Sequence, residues 1–185
     1  MKNAYRDRVK RRLGILQDDL QFDSDIDDFT TESINSLYPI VQAELAPESF
    51  VLNANSSEID LSESEIVSVR KLKFQDENGY LESSDEYTMH ADVITIYGSS
   101  SYERTVVVEG SGRYDVANVP LEYNQVIINW IMSEFYSLLT GDKRKYNIYT
   151  QTTGARSVDN LRDLSDYYLD RGNQILADRA TIRGQ

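Results

Sequence analysis

Apolar residues recur along this chain in two rhythms, and the change between them divides it. Tyr5, Val9, Leu13 and Leu16 stand at i, i+4, i+8 and i+11, which predicts a short amphipathic helix over about residues 2–13, broken at Gly14. Ile34, Leu37, Tyr38, Val41 and Leu45 continue the same period and predict a second helix over about 29–45, kinked at Pro39. From Ser49 to about Asp115 the period falls toward two: short runs rich in β-branched residues, such as EIVSVRKLKF, DVITIYG and YERTVVVEG, alternate with turn signals. Helical spacing then returns. Val119–Thr140 predicts a helix of about 20 residues that starts at Pro120 and stops at Gly141. Leu121, Ile127, Ile128, Ile131, Phe135, Leu138 and Leu139 form one broad apolar sector, widened by Tyr123, Val126, Trp130 and Met132. Only Gln125, Asn129 and Ser133 leave a polar strip. A helix so apolar must be covered on several sides. A last helix is expected from Ser157 to about Ile182, with Val158, Leu161, Leu164, Tyr168, Ile175 and Leu176 inward.

The expected fold class is therefore α+β: a bundle of three to four helices (1–48 and 116–185) carrying an inserted antiparallel β-subdomain (49–115) of five to seven strands. Helices on both sides of an insert must pack together, so its two ends are expected close in space.

Charge adds polarity to this picture. The chain of 185 residues has a formal charge of −12, yet its first twelve residues hold six cations against one anion. Lys2, Arg6 and Lys10 fall on one line of the first helix, which reads either as a solvated or salt-bridged face or as a docking arm for an acidic partner surface or for nucleic-acid phosphates. Asp23, Asp25 and Asp27 alternate as in a calcium loop, but Asp28 stands where glycine is needed and Ile34 where glutamate is needed. They are read instead as caps for the second helix and complements of its dipole. Asp159, Asp163, Asp166 and Asp170 line the outer side of the last helix, either as a solvated face or as an acidic wall. The stretch GDKRKYNIYTQTTGARS is read as a long exposed loop reaching a neighbour.

Candidate chemistry is sparse. There is no cysteine and one histidine, His90, which falls in an expected strand without a nucleophile or an orienting carboxylate in a recognisable pattern. HExxH, GxSxG and phosphate-loop patterns are absent, and Gly110-Ser111-Gly112 reads as a turn. No catalytic, metal or cofactor-binding residue is assigned, and the chain is expected not to be an enzyme. No apolar run reaches the roughly 18 residues of a membrane span, and the N-terminus turns charged at once, so no membrane partner is expected. Thirteen tyrosines, several in expected loops, point to protein–protein contact. Trp130, Tyr146 and Tyr149 are the candidates for a subunit interface.

Three stretches carry a resemblance. YRDRVKRRLGI with DIDDFTTESINSLYPIVQ, then VPLEYNQVIINWIMSEFYSLLTGDKRKYN, then SVDNLRDLSDYYLDRGNQILADRA resemble, in element order and local pattern, the head-to-tail connector (adaptor) proteins of tailed phages and related viruses. The resemblance covers about the first 45 and the last 70 residues and has no signature motif. Smaller members of the family lack an insert like 49–115. The resemblance implies a structural neck protein of the virion, made in the host cytoplasm. It would form a closed homo-oligomeric ring, usually twelve-fold, dock on the portal protein, and meet the tail or a tail-completion protein. DNA would pass through its channel at ejection without sequence-specific binding. On that implication Lys2, Arg6, Lys10, Arg179 and Arg183 are candidates for portal docking, and Asp159, Asp163, Asp166 and Asp170 for the channel wall. A second tail or neck completion subunit, or a soluble binding module using the β-insert, are the alternatives.

Overall fold

The protein is α+β, with five helices and two small antiparallel sheets among the residues that the computed structural model describes, 2–38, 40–75, 79–98, 101–155 and 158–183. The side chains of 2, 3 and 180–183 lie outside that description. The chain divides into a helical unit, Met1–Val41 with Tyr114–Gln185, and a β unit, Gln42–Arg113. The β unit begins before the expected Ser49 because Ala43–Glu44 already pairs with a strand of its sheet.

In the helical unit, α1 (Lys2–Leu13) and α2 (Asp23–Asn35) come first. A 3-10 turn at Leu121–Tyr123 leads into α3 (Asn124–Gly141), followed by α4 (Lys143–Thr153) and α5 (Leu161–Arg183). Pro120 precedes the 3-10 turn in an extended conformation, φ −60° and ψ 139°, and Leu121 points to solvent, 81% exposed, outside the apolar sector expected for it. α2 departs most from expectation. It begins at Asp23 and ends at Asn35, so Asp23, Asp25 and Asp27 lie within it. Phe22 stands at the cap position and no side chain bonds the helix start. Leu37 and Val41 are buried as their spacing requires, but from turns beyond the helix; Pro39, where a kink was expected, lies outside the described residues.

α3 is the buried axis of this unit, with eleven buried residues. Two residues of its polar strip are buried as well: Asn129 and Ser133 sit at seams with α1 and α5, while Gln125 is exposed. Arg12 of α1 donates to Gln125 Oε1 at 3.0 Å, and Ser165 of α5 donates to the Ser133 carbonyl at 3.0 Å. α5 comes unusually near at Gly172, where an added Cβ would lie 2.7 Å from Trp130 Cδ1 and Nε1. The aromatic centre joins α2's entry, α3 and α4: Phe22 meets Phe135 edge-on at 5.2 Å between ring centres, and Phe135 meets Tyr149 at 5.7 Å. The expected loop after α3 is thus a helix. Asp142 caps it, accepting from the backbone N–H of Arg144 and Lys145, and Gly154 ends it at φ 69°.

In the β unit, strands β1 (Ala43–Glu44), β2 (Glu48–Leu52), β4 (Ser68–Gln75), β5 (Leu81–Ser84) and β8 (Arg104–Gly112) make one sheet. β8 is central, paired with β4 on one edge and with β1 and β2 along the other; β5 flanks β4. β3 (Glu58–Asp60), β7 (Val93–Ile96) and β6 (Tyr87–His90) make the second sheet, in that order. Leu52, Leu72, Val106 and Val108 from the first sheet and Ile59, Ile94 and Ile96 from the second share one core. Of the expected turns, Asp76–Asn78 and Ser99–Ser100 lie outside the described residues. His90 is exposed on β6.

Candidate assembly surfaces of the helical unit

Of the line of cations on α1, Arg6 and Lys10 face α2. Arg6 grips α2 through both ends of its guanidinium: Nη1 pairs with Asp23 Oδ2 at 2.8 Å, while Nε and Nη2 take the two oxygens of Asp27. That hydrogen bonding to Asp27 is the main cause holding the Arg6 guanidinium above its ordinary range. Lys10 is 1% exposed, pairs with Asp23, and donates to the carbonyls of Gln17 and Asp19. Lys145 of α4 reaches Asp25 in the same way. The portal-docking reading of Arg6 and Lys10 is therefore corrected. Their charges fasten α1 onto α2, because Tyr5, Val9 and Leu13 are buried on the adjoining side and carry these cations with them. Lys2 lies on α1 with its side chain outside the described residues. Among the described residues, α1 offers Arg8 and Arg11 to solvent, both exposed and in no ion pair, with Arg12 turned to Gln125 and Asn129.

Trp130 is 9% exposed and its indole N–H donates to Asn173 Oδ1 at 3.0 Å. One edge of it borders a groove of about 340 Å³ between the end of α2, α3 and α5. Ile40 and Leu169, 60% and 43% exposed, and Leu176 give this groove an apolar lining, and Glu32 and Glu134 stand at it as exposed carboxylates in no ion pair among the described residues. At 100° per residue, Trp130 and Glu134 lie about 140° around α3 from Gln125 and Asn129, the residues that meet Arg12 of α1. The groove and the arginine-bearing face of α1 thus lie on nearly opposite sides of the axis helix.

Tyr149 is interior. Its hydroxyl donates to the Leu13 carbonyl at 2.9 Å and its ring sits between Phe22 and Phe135, so the expected role in a subunit interface is corrected to a core contact. Tyr146 is half-buried and its hydroxyl accepts from the Val158 N–H at 3.1 Å, tying α4 to the start of the last segment. Sequence reading missed α4 because KRKYNIYTQTT looks polar; the signals available were the capping aspartate before it and the glycine after it. Burial pushes the Tyr136 hydroxyl up to about 12, with Tyr149 and Tyr168 adding to it, and burial likewise raises Tyr149 and Tyr5.

α5 starts at Leu161, four residues after the expected Ser157, which lies outside the described residues. Asp159, Asp163, Asp166 and Asp170 are all exposed and in no ion pair among the described residues. Tyr167, 60% exposed, shares this outer side. Arg179 is exposed further along the helix; the Arg183 side chain lies outside the described residues.

The fold thus defines a helical body with open surfaces on two sides and an inserted β unit, an architecture that names no activity. No protein-family model and no curated protein matches the chain. Among solved structures, the chain is similar to one described as "Neck of empty GTA particle computed with C6 symmetry", at 16% identity and a TM-score of 0.32, over 74% of this chain and 77% of that one. A likeness this loose identifies no shared function.

Proposed function

We propose that the protein is a structural neck subunit of a virion or virion-like particle: a ring-forming adaptor that docks on a portal, joins head to tail and leaves a channel for DNA. Its role is architectural and not enzymatic. The reading starts from the resemblance in the three helical stretches. The structural observation that supports it is the Trp130 groove. An apolar lining with two exposed carboxylates lies on the side of α3 opposite two exposed arginines, Arg8 and Arg11, all four in no ion pair among the described residues. Complementary patches on opposite sides of one subunit make a heterologous contact, which closes into a ring when the rotation between neighbours closes. The α1 face of one copy would seat against the groove of the next. The acidic outer face of α5 (Asp159, Asp163, Asp166, Asp170) would then line the channel, where negative charge keeps DNA from adhering, and Arg179 and Arg183 remain for the portal.

The experiment is mass photometry and negative-stain microscopy of the protein with and without portal. A ring of defined size is expected. Glu32→Lys with Glu134→Lys should abolish it, and Arg8→Glu with Arg11→Glu on the same chain should restore it. A strictly monomeric protein that never binds portal overturns the reading. Co-purification with tails that lack heads would make it a tail-completion subunit instead.

A further inference from the structure

The β unit holds a cation, Arg104, that has no anion in ion-pair distance among the described residues. Side chains alternate across a strand, so Arg104, Val106 and Val108 of β8 point to one face. Val106 and Val108 are fully buried in the core between the two sheets, so Arg104 places a guanidinium at the end of a core-facing row. It pairs in register with buried Leu52 and is itself half-buried. Its partners are aromatic: the guanidinium carbon lies 4.8 Å from the Tyr102 ring centre and 5.9 Å from that of Phe74, and Nη2 donates to the Tyr102 hydroxyl at 2.9 Å. Nε is enclosed without an acceptor, and no carboxylate lies within ion-pair distance among the described residues. Desolvating a guanidinium is costly unless its donors are satisfied, and ring contacts offset only part of that.

A cavity of about 340 Å³ opens at this point. It is at the lower end of the range for small-ligand sites, roughly 300–1,000 Å³. Leu52, Phe74 and Ile96 supply its apolar surface. Glu82 and Glu86 also line it and can only accept hydrogen bonds when ionised, and Ser83 and Ser84 can do either. Tyr97, 62% exposed, stands at the same cavity. A fitting ligand presents one compact oxyanion to the guanidinium fork, several hydroxyl donors to the glutamates and serines, and a flat C–H face to the apolar side. The β unit carries fourteen carboxylates against five cations, so a polyanion is repelled while a single carboxylate set among hydroxyls is tolerated.

We propose that this cavity binds an acidic sugar of the hexuronate or sialate class, with the sugar carboxylate on Arg104 and ring hydroxyls on Glu82, Glu86 and the two serines. The site is independent of ring assembly and of the neck role.

The test is a chemical-shift titration of the full chain with glucuronate and with N-acetylneuraminate, alongside glucose, acetate and glutamate. Saturable shifts confined to 82–86, 96–98 and 104 are expected, with at least about ten-fold tighter binding of an acidic sugar than of glucose or acetate, as the loss of one charge-assisted pair or of the hydroxyl set implies. Arg104→Gln should weaken binding about ten-fold or more, and Arg104→Lys should retain part of it, both with unchanged thermal midpoints. Equal binding of acetate means an adventitious anion site, and equal binding of glutamate means an amino-acid site; either overturns the sugar assignment. Undiminished binding by Arg104→Gln, or no saturable shift with any acidic sugar, overturns the site itself.

Discussion

The helical unit and the β unit treat charge in opposite ways. In the helical unit, opposite charges far apart in sequence meet in poorly solvated positions: Lys10 is buried against Asp23, Arg6 spans Asp23 and Asp27, and Lys145 closes on Asp25. In the β unit, Arg70–Glu44 is exposed and Lys73–Glu109 is half-buried, while Arg104, on the core-facing row of β8, has no carboxylate within ion-pair distance among the described residues. The cores differ too. Aromatic rings from Phe22, Phe135 and Tyr149 interlock at the centre of the helices, whereas the fully buried residues between the sheets are aliphatic. Helices that carry few apolar residues, α1 and α2 in particular, need cross-helix ion pairs to fix their packing. Strands are already fixed by their backbone ladders, and none of the ion pairs described on them has a fully buried member as Lys10–Asp23 does.

Several substitutions test this contrast. Phe135→Ala removes the ring at the aromatic centre and should cost about 3–5 kcal/mol. In hydrogen exchange, protection should fall across α2, α3 and α4 and persist in β8; a uniform loss would mean that the two units do not unfold separately. Lys10→Met keeps the stem and deletes the charge, leaving the Gln17 and Asp19 carbonyls without their donor and Asp23 with Arg6 alone. It should destabilise the helical unit by about 2 kcal/mol in denaturant titration. Lys73→Met on the β unit should cost no more than about 1 kcal/mol. If the two substitutions cost the same, the contrast fails.

Gly172→Ala drives a methyl into the Trp130 indole and should cost about 1–3 kcal/mol, with a shift in the indole fluorescence. The smallest effect is visible only in alkali. The unfolded Tyr136 hydroxyl ionises near 10 and the folded one near 12, so folding excludes the ionised form. Its contribution is constant below pH 10 and is lost as pH rises from 10 toward 12, where the unfolded chain releases a proton that the folded chain retains. Tyr136→Phe should leave the neutral-pH midpoint nearly unchanged and raise the pH of alkaline unfolding. An unchanged alkaline midpoint would show that Tyr136 titrates freely.

Much of the α+β fold was legible in the chain because its signals are local. α1 runs over the expected 2–13, and the inward stripe of α5 holds at Leu161, Leu164, Tyr168 and Leu176. α2 was displaced for a definable reason. Ile34, Leu37 and Val41 are buried at helical spacing although the helix ends at Asn35, so the periodicity overran into turns. Its true first half, DSDIDDF, is so acidic that nothing local favours a helix beyond the dipole; the cations that neutralise it come from α1 and from Lys145, 120 residues later. Of the candidate residues, Asp159, Asp163, Asp166 and Asp170 are exposed and Trp130 is buried with one edge at a groove, while the Glu32–Glu134 groove and the Arg104 cavity required residues that only folding brings together.

The apolar helix at Val119–Thr140 marks the division between what sequence and tertiary structure decide. Its sequence determined that a helix would form there and that it would be buried nearly all round, since hydrophobic periodicity is a property of neighbours three and four residues apart. Which elements bury it was decided only in three dimensions. α4 emerged from a segment that reads as loop, Tyr149 became interior, and Arg6 and Lys10 of α1 turned to α2. Ion pairs and aromatic contacts depend on partners tens of residues distant, and no local pattern along the chain records them.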